Sequence, residues 1–239
     1  MFVTGFPAAA FATNCYVVAV APGEECIVVD PGIGVVDALA EVLAEHRLRP
    51  AAVLLTHGHL DHVFSVTPVC GAHGVAASVH GADRYRLKDP ASTLGPELKA
   101  MFEAQFTTPW KEPDDVVEIG DGQRLSIAGL DVDVVHAPGH TEGSVMFSVP
   151  DVPDAVRRTE GAGELTSTVI SGDVLFAGSI GRTDLAGGSA SDMRRSLREK
   201  VWPLDDATLV LPGHGPATTI RQERAANPYL IDAAPGAGA

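Results

Sequence analysis

Strand and helix signals alternate along most of this chain, which predicts a single α/β domain. Two further observations support that reading. The 239 residues are 45% hydrophobic, with 25 Gly and 17 Pro, a globular composition rather than a disordered or fibrous one. The chain shows neither a linker nor a repeat of the length that marks a solenoid. A chain of this size buries about 70–75% of its unfolded surface. The expected organisation is one domain over residues 1–230, with an Ala/Gly/Pro tail at 231–239 that frays.

No charged residue precedes Glu24. Gly5, Pro7, Thr4, Thr13 and Asn14 interrupt the apolar run, and a membrane span wants ~20 consecutive, predominantly apolar residues. A secretory leader wants an early basic residue, whereas the first here is Arg47. Short strands entering a sheet are the better reading. Asn14–Val20 and Cys26–Val29 are β-branched runs, the second closed by the turn Asp30-Pro31-Gly32. Val35, Leu39, Val42 and Leu43 follow helical spacing up to His46. Strands are expected at Ala52–Leu55 and Val75–Val79. Hairpin-rich β structure is expected over Val116–Ile119, Leu125–Ile127 and Val132–Val135. Val145–Val149 and Thr168–Ile170 flank a polar surface loop, Pro150–Glu164. A helix at Ser191–Val201, a strand at Thr208–Leu211 and a helix at Thr219–Ala226 complete the series.

Residues 86–115 break the pattern by mixing four prolines with Leu94, Leu98, Met101, Phe102, Phe106 and Trp110. They read either as a helical excursion packing its own apolar side or as a flap over a substrate site. The net charge of −14 repels polyanions, so nucleic acid is not an expected partner. Cys15, Cys26 and Cys70 are odd in number and lack CxxC spacing. They fit reduced thiols and a cytoplasmic location, away from membranes.

The chemistry concentrates in Thr56-His57-Gly58-His59-Leu60-Asp61-His62, directly after a predicted strand. Three imidazoles and a carboxylate in one loop can converge on divalent metal, and nitrogen with oxygen donors suits Zn, Fe or Mn. Residues i and i+2 of an extended segment share a face. His57 and His59 can therefore grip one ion while Asp61 and His62 reach a second. Three later residues follow strand ends beside glycines: His140 in Ala137-Pro138-Gly139-His140, Asp173 in Ser171-Gly172-Asp173, and His214 in Pro212-Gly213-His214-Gly215. Each alone would be an ordinary turn residue. As a set after the first motif they read as ligands at one edge of a sheet.

This series (HxHxDH, then His140, Asp173 and His214) resembles the metallo-β-lactamase superfamily over nearly the whole chain. "GDVLFAGSIGRTDLAGG" (172–188), "PGHGPATT" (212–219) and "ERAANPYL" (223–230) are similar to glyoxalase II-like hydrolases, in particular their short branch. The resemblance implies a four-layer αββα sandwich and two divalent metal ions, zinc first, with iron or manganese as alternatives. It implies His57, His59 and His140 at one site and Asp61, His62 and His214 at the other, with Asp173 bridging. It further implies that a hydroxide between the ions, oriented by Asp61 and Asp173, cleaves a small-molecule thioester. Hydrolysis suits the site because a leaving thiolate, with a pKa near ~8.5, needs little acid assistance.

Asp30 in "VVDPG" resembles the early Asp that supports the metal loop in that family; the alternative is a turn residue. Arg182 in Gly181-Arg182-Thr183-Asp184 reads either as an anchor for a substrate carboxylate, by its bidentate fork, or as a surface ion pair with Asp184. His46, His73, His80 and His136 match no ligand motif and read as surface or structural. A persulfide dioxygenase using one iron on His57, His140 and Asp173 is the alternative function, although it would leave Asp61, His62 and His214 idle. A β-lactamase or a non-enzymatic metal-binding protein ranks lower. Only 25 residues follow His214, too few for the helical domain with which full-length glyoxalase II enzymes grip glutathione, so the thiol carrier is left open, as is the oligomeric state.

Overall fold

The computed structural model describes all residues except 95, 96, 98, 101–109, 160–163 and 237–239. Its strands form two six-stranded sheets. The first runs β1 (Phe2–Pro7), β2 (Asn14–Ala19), β3 (Glu25–Val29), β4 (Arg49–Leu54), β5 (Ala77–His80), β6 (Val116–Ile119). β1 to β3 pair antiparallel, and β3 to β6 pair parallel. The second sheet is β7 (Arg124–Ile127), β8 (Leu130–His136), β9 (Val145–Val149), β10 (Ser167–Gly172), β11 (Thr208–Pro212), β12 (Thr218–Thr219). It is antiparallel except between β10 and β11.

The two-residue strand period sorts side chains between layers. In β2 and β3, Cys15, Val17, Ala19, Cys26 and Val28 pack outward against helix α1 (Val36–His46), which contributes Leu39 and Leu43. Their neighbours Tyr16, Val18, Ile27 and Val29 face inward, against Val132, Val145, Phe147 and Leu211 of the second sheet. Val169 and Val210 turn to a third cluster, with Met193 of α5 (Ala190–Ser196) and Ile220 of α6 (Ile220–Ala226). Three apolar seams separating helix, sheet, sheet and helix are the four-layer αββα sandwich. The central strands are buried on both faces, which explains why they read as short continuous apolar runs.

Several elements depart from the sequence expectation. Val116–Ile119 is no part of a hairpin: it runs parallel to β5 in the first sheet, and the hairpin is β7–β8. Helix α2 (Leu60–Val63) starts inside the metal motif and carries Asp61 and His62, and α3 (Val66–His73) follows it. The polar stretch 150–164 contains a helical turn, α4 (Asp154–Arg157), and Met1 packs there, its amine 2.9 Å from Asp151. A last helix spans residue 231. Asn227 caps α7 (Pro228–Asp232), accepting from the Tyr229 and Leu230 amides, and Ala233 is buried in the third seam. Pro228 at the first helical position needs no amide partner. Of segment 86–115, Trp110 packs on the first core and donates to the Leu87 carbonyl at 2.8 Å. Most of the apolar residues that suggested an excursion or flap lie outside the described residues. No described helix is long and apolar enough to cross a membrane.

Candidate metal centre

All seven residues meet at one edge of the sandwich, where β4, β8, β10 and β11 deliver their following loops. His57 Nε2 lies 3.1 Å from His59 Nδ1, which lies 2.8 Å from His140 Nε2. His62 Nε2 stands 3.5 Å from Asp61 Oδ2 and 3.3 Å from Asp173 Oδ1. His214 Nε2 stands 3.3 Å from Asp61 Oδ2 and 3.6 Å from Asp173 Oδ2. Asp173 Oδ2 is also 3.4 Å from His140 Nε2. One carboxylate thus faces both halves of the cluster.

Hydrogen-bond partners decide which nitrogens are bare. His140 Nδ1 meets the Arg182 carbonyl at 2.8 Å, so Nδ1 carries the proton and Nε2 a lone pair. The Thr56 hydroxyl donates to Asp30 Oδ2 at 2.6 Å, so it accepts from His57 Nδ1 at 3.1 Å, and His57 Nε2 is likewise bare. His62 Nδ1 donates to Asp30 Oδ2 at 2.9 Å, so Nε2 is the nitrogen turned to the cluster. Asp30 therefore sets the tautomer of His62 directly and of His57 through Thr56. It also accepts the Thr56 amide at 2.8 Å. Asp30 makes these contacts from a left-handed φ of 49°, a conformation that Asp tolerates better than most residues.

The local electrostatics differ between the halves. Burial pulls His57, His59 and His140 below the usual imidazole range, His59 to about 3, and neighbouring imidazoles add to the effect for each. These three are neutral donors. Burial opposes charge on His62 too, but Asp61, Asp173 and Asp30 outweigh it and push its pKa up; His214 is raised in the same way by Asp61 and Asp173. His62 and His214 in turn hold the Asp61 carboxyl low, against burial. Positive charge is demanded there.

The bare Nε2 atoms of His57 and His140 both converge on His59 Nδ1, where a single imidazole proton serves one of them well, whereas a cation takes all three lone pairs. His62 Nε2 and Asp173 Oδ1 are buried polar atoms without a hydrogen-bond partner, the kind of exception that an ion explains. Three groups have donor atoms close enough to share one ion: His57, His59 and His140; His57, His62 and Asp173; and Asp61, His62 and His214. The residues present fit a dinuclear divalent site.

The chain matches the model of the Metallo-beta-lactamase superfamily over residues 8–155. It belongs to that superfamily. A protein of Mycobacterium tuberculosis is 46% identical over 96% of this chain and 98% of its own length. Hydroxyacylglutathione hydrolase GloC of Haemophilus influenzae is 30% identical over 94% of this chain and 95% of its own. Among solved structures, the BLEG-1 B3 metallo-beta-lactamase superposes with a TM-score of 0.75 at 32% identity, over 96% of this chain and 99% of that one. TTHA1623 in a di-iron-bound form gives 0.72 at 30%, over 95% and 99%.

The superfamily scaffold is braced here by residues that sequence reasoning missed. Asp83, fully buried, accepts from the Gly58 amide at 2.8 Å, the Thr141 hydroxyl at 2.7 Å and the Gly143 amide at 2.9 Å. It thereby ties the HxH loop to the loop of His140. Arg86, also fully buried, pairs with Asp83 at 3.2 Å and reaches Glu142 at 2.6 Å. A Cβ on Gly58 would lie 2.7 Å from Arg86 Cβ, so only glycine admits this approach. On the other side, the Thr13 hydroxyl donates to Asp61 at 2.8 Å. Asn14 and Tyr16 bind the Pro212 carbonyl, at 2.9 and 2.7 Å, and clamp the loop of His214. The signals were thin: Asp-x-x-Arg in a polar turn looks solvated, and Thr13 has no motif.

A cavity of about 450 Å³ opens over the cluster, lined by His59, Asp61, His140, Asp173 and His214 below and largely apolar side chains above. Arg182 lies on its wall, but its guanidinium closes bidentately on Asp184, both contacts at 2.8 Å. Of the two readings of Arg182, the ion pair is the one the geometry contains; substrate contact through its side chain would require breaking it. His80 and His136 stack on one another at 3.9 Å and belong to none of the three candidate metal groups among the described residues. Burial pushes the Cys26 and Cys70 thiols up to about 12, so these free thiols are inert.

Proposed function

We propose that this chain is a dinuclear metal hydrolase that cleaves small-molecule thioesters, with zinc as the first candidate metal. His57 Nε2, His59 Nδ1 and His140 Nε2 would hold one ion; Asp61, His62 and His214 would hold the other, and Asp173 would bridge. Such a pair supplies Lewis-acid polarisation of the carbonyl and an activated water. The chain's own residues do the rest. Asp61, fixed by Thr13, and Asp173, between both halves, orient the attacking water at the cavity floor. The observation that carries the choice of substrate concerns the leaving group. Among the described residues lining the cavity, no titratable proton donor stands outside the cluster except the always-charged Arg182. A leaving group must then depart without protonation, which suits a thiolate of pKa ~8.5 far better than an amine or alkoxide. The 30% identity to GloC, by name a hydroxyacylglutathione hydrolase, supports the same class, and the di-iron form of TTHA1623 supports two ions.

The test is thioester cleavage by zinc-loaded protein under anaerobic conditions, followed by thiol release. Turnover without oxygen, strongly reduced in His62→Ala and in Asp173→Asn, is the expected result. Oxygen uptake with a persulfide, strictly iron-dependent and indifferent to His62→Ala, would replace this reading with a dioxygenase. The likeness to BLEG-1 makes β-lactam hydrolysis the second reading. A chromogenic cephalosporin cleaved faster than every thioester would favour it.

A further inference from the structure

The cavity says more about the substrate than its floor does. Its upper wall is Phe11, Leu60, Leu94, Phe176, Ile180 and Leu185. Arg182 is the one Lys or Arg among the described lining residues, and Asp184 already occupies its fork. The residues outside the description, 95, 96, 98, 101–109, 160–163 and 237–239, contain no Lys, Arg or His in their sequence. The whole chain carries −14. Apart from the metal cluster on the floor, no unpaired cationic side chain among the described lining residues attracts a substrate carboxylate or phosphate, and the net charge opposes both.

Phe11 adds an independent observation. The turn from Ala8 to Thr13 is closed by the Ala8 amide on the Thr13 carbonyl at 2.7 Å, and the Thr13 hydroxyl ties it to Asp61. Within that turn Phe11 sits at φ 63° and Ala12 at φ 53°. A bulky side chain at positive φ is unusual, and this one remains 60% exposed, at the mouth of the cavity. Burial in the fold does not account for an aromatic ring held there at conformational cost. Contact with an apolar ligand does, since strained positions gather at ligand clamps.

We propose that the cavity accepts the apolar acyl chain of a thioester whose thiol carrier is uncharged, in preference to glutathione or coenzyme A thioesters. This rests on the hydrolase reading. The reaction is plain hydrolysis: water's oxygen bonds to the acyl carbon, the C–S bond breaks, and a carboxylic acid and a thiol leave. The acyl chain lies against Phe11, Phe176 and Leu185 while the carbonyl meets the cluster floor.

The experiment uses the full chain loaded with zinc and a series of N-acetylcysteamine thioesters from acetyl to octanoyl, beside hexanoyl-coenzyme A and S-lactoylglutathione. kcat/KM is expected to rise about three- to fourfold per buried methylene until the cavity is filled. Hexanoyl-coenzyme A should fall at least tenfold below its neutral counterpart, with the gap narrowing as salt screens the protein's charge. Phe11→Asn removes the ring yet suits the left-handed backbone; it should flatten the chain-length gradient at unchanged Tm. In parallel, the non-hydrolysable pair S-hexyl-N-acetylcysteamine and S-hexylglutathione is titrated calorimetrically, with the neutral probe expected to bind at least tenfold tighter. A flat gradient, a preference for S-lactoylglutathione, or tighter binding of S-hexylglutathione overturns the proposal while leaving the hydrolase intact. If the two-metal protein cleaves no thioester, the hydrolase reading falls, and the S-hexyl pair decides what the cavity prefers.

Discussion

Replacing Asp30 by Asn changes the metal cluster without touching a donor atom. Asp30 Oδ2 accepts from Thr56 Oγ1 at 2.6 Å and from His62 Nδ1 at 2.9 Å, while Oδ1 accepts the Thr56 amide at 2.8 Å. An amide has one acceptor oxygen. If that oxygen keeps the Thr56 amide, the NH₂ group points at Thr56 Oγ1 and His62 Nδ1, both donors in the native protein. His62 then resolves the conflict by moving its proton to Nε2, the atom that faces Asp61 and Asp173, and a protonated nitrogen cannot bind a metal. One hydrogen bond to a charged group is worth ~1.5–3 kcal/mol, and loss of such supporting partners weakens metal affinity about 10–100-fold. Because the imidazole is inverted as well, the upper end is expected: a loss of about 100-fold at the Asp61, His62, His214 site, or about 2.8 kcal/mol. The His57, His59, His140 site, reached only through Thr56, should lose about tenfold or less. Asn tolerates the left-handed φ as Asp does, so the backbone is not the variable. Chelator competition on the zinc-loaded variant, with metal counted per chain, measures both constants. Two ions retained with unchanged competition curves would refute the tautomer argument.

Three other outcomes are expected. Asp83→Asn leaves Arg86 buried beside a neutral amide and weakens the bonds to Gly58 and Gly143, so urea unfolding should show a loss of about 3–5 kcal/mol; a loss under 1 kcal/mol would mean the brace carries little. Acidification should empty the two sites in sequence. His62 and His214 have raised pKa values, so protons compete with metal there at higher pH than at His57, His59 and His140, whose values are lowered. Metal content after dialysis at falling pH should therefore drop from two to one before it drops to zero, and simultaneous loss would count against the separate sites. Arg182→Ala should leave metal content unchanged and alter KM for acidic thioesters less than about threefold, because its guanidinium is already paired; a tenfold rise would restore it as a carboxylate anchor.

The sequence made the cluster legible because its donors carry unusual chemistry at close spacing. His57, His59, Asp61 and His62 fall within six residues, and His140, Asp173 and His214 each follow a strand and a glycine. The bracing was not legible, because Asp83 and Arg86 look like any solvated pair until β5 and the loop after His140 enclose them. The layers were only partly legible. Alternation placed the strands, yet nothing local says that Val116–Ile119 completes the first sheet while Arg124–Ile127, five residues on, begins the second. That assignment is tertiary.

The clamp of Asn14 and Tyr16 on Pro212 has a consequence for the order in which the centre is built. His57, His59 and His140 are all made before Asp173. Emerging chains fold from the N-terminus as they are synthesised, so a first ion can be captured by a half-made protein. The other ion must wait for His214, and for its loop to be drawn back against β2, made some 200 residues earlier. Departure reverses this order. Releasing a few hydrogen bonds around Pro212 would free the second ion by a local opening, with both sheets still closed, whereas the first is held by loops that share the buried carboxylate of Asp83. The two ions should therefore exchange on different timescales, one set by a loop and the other by the sandwich.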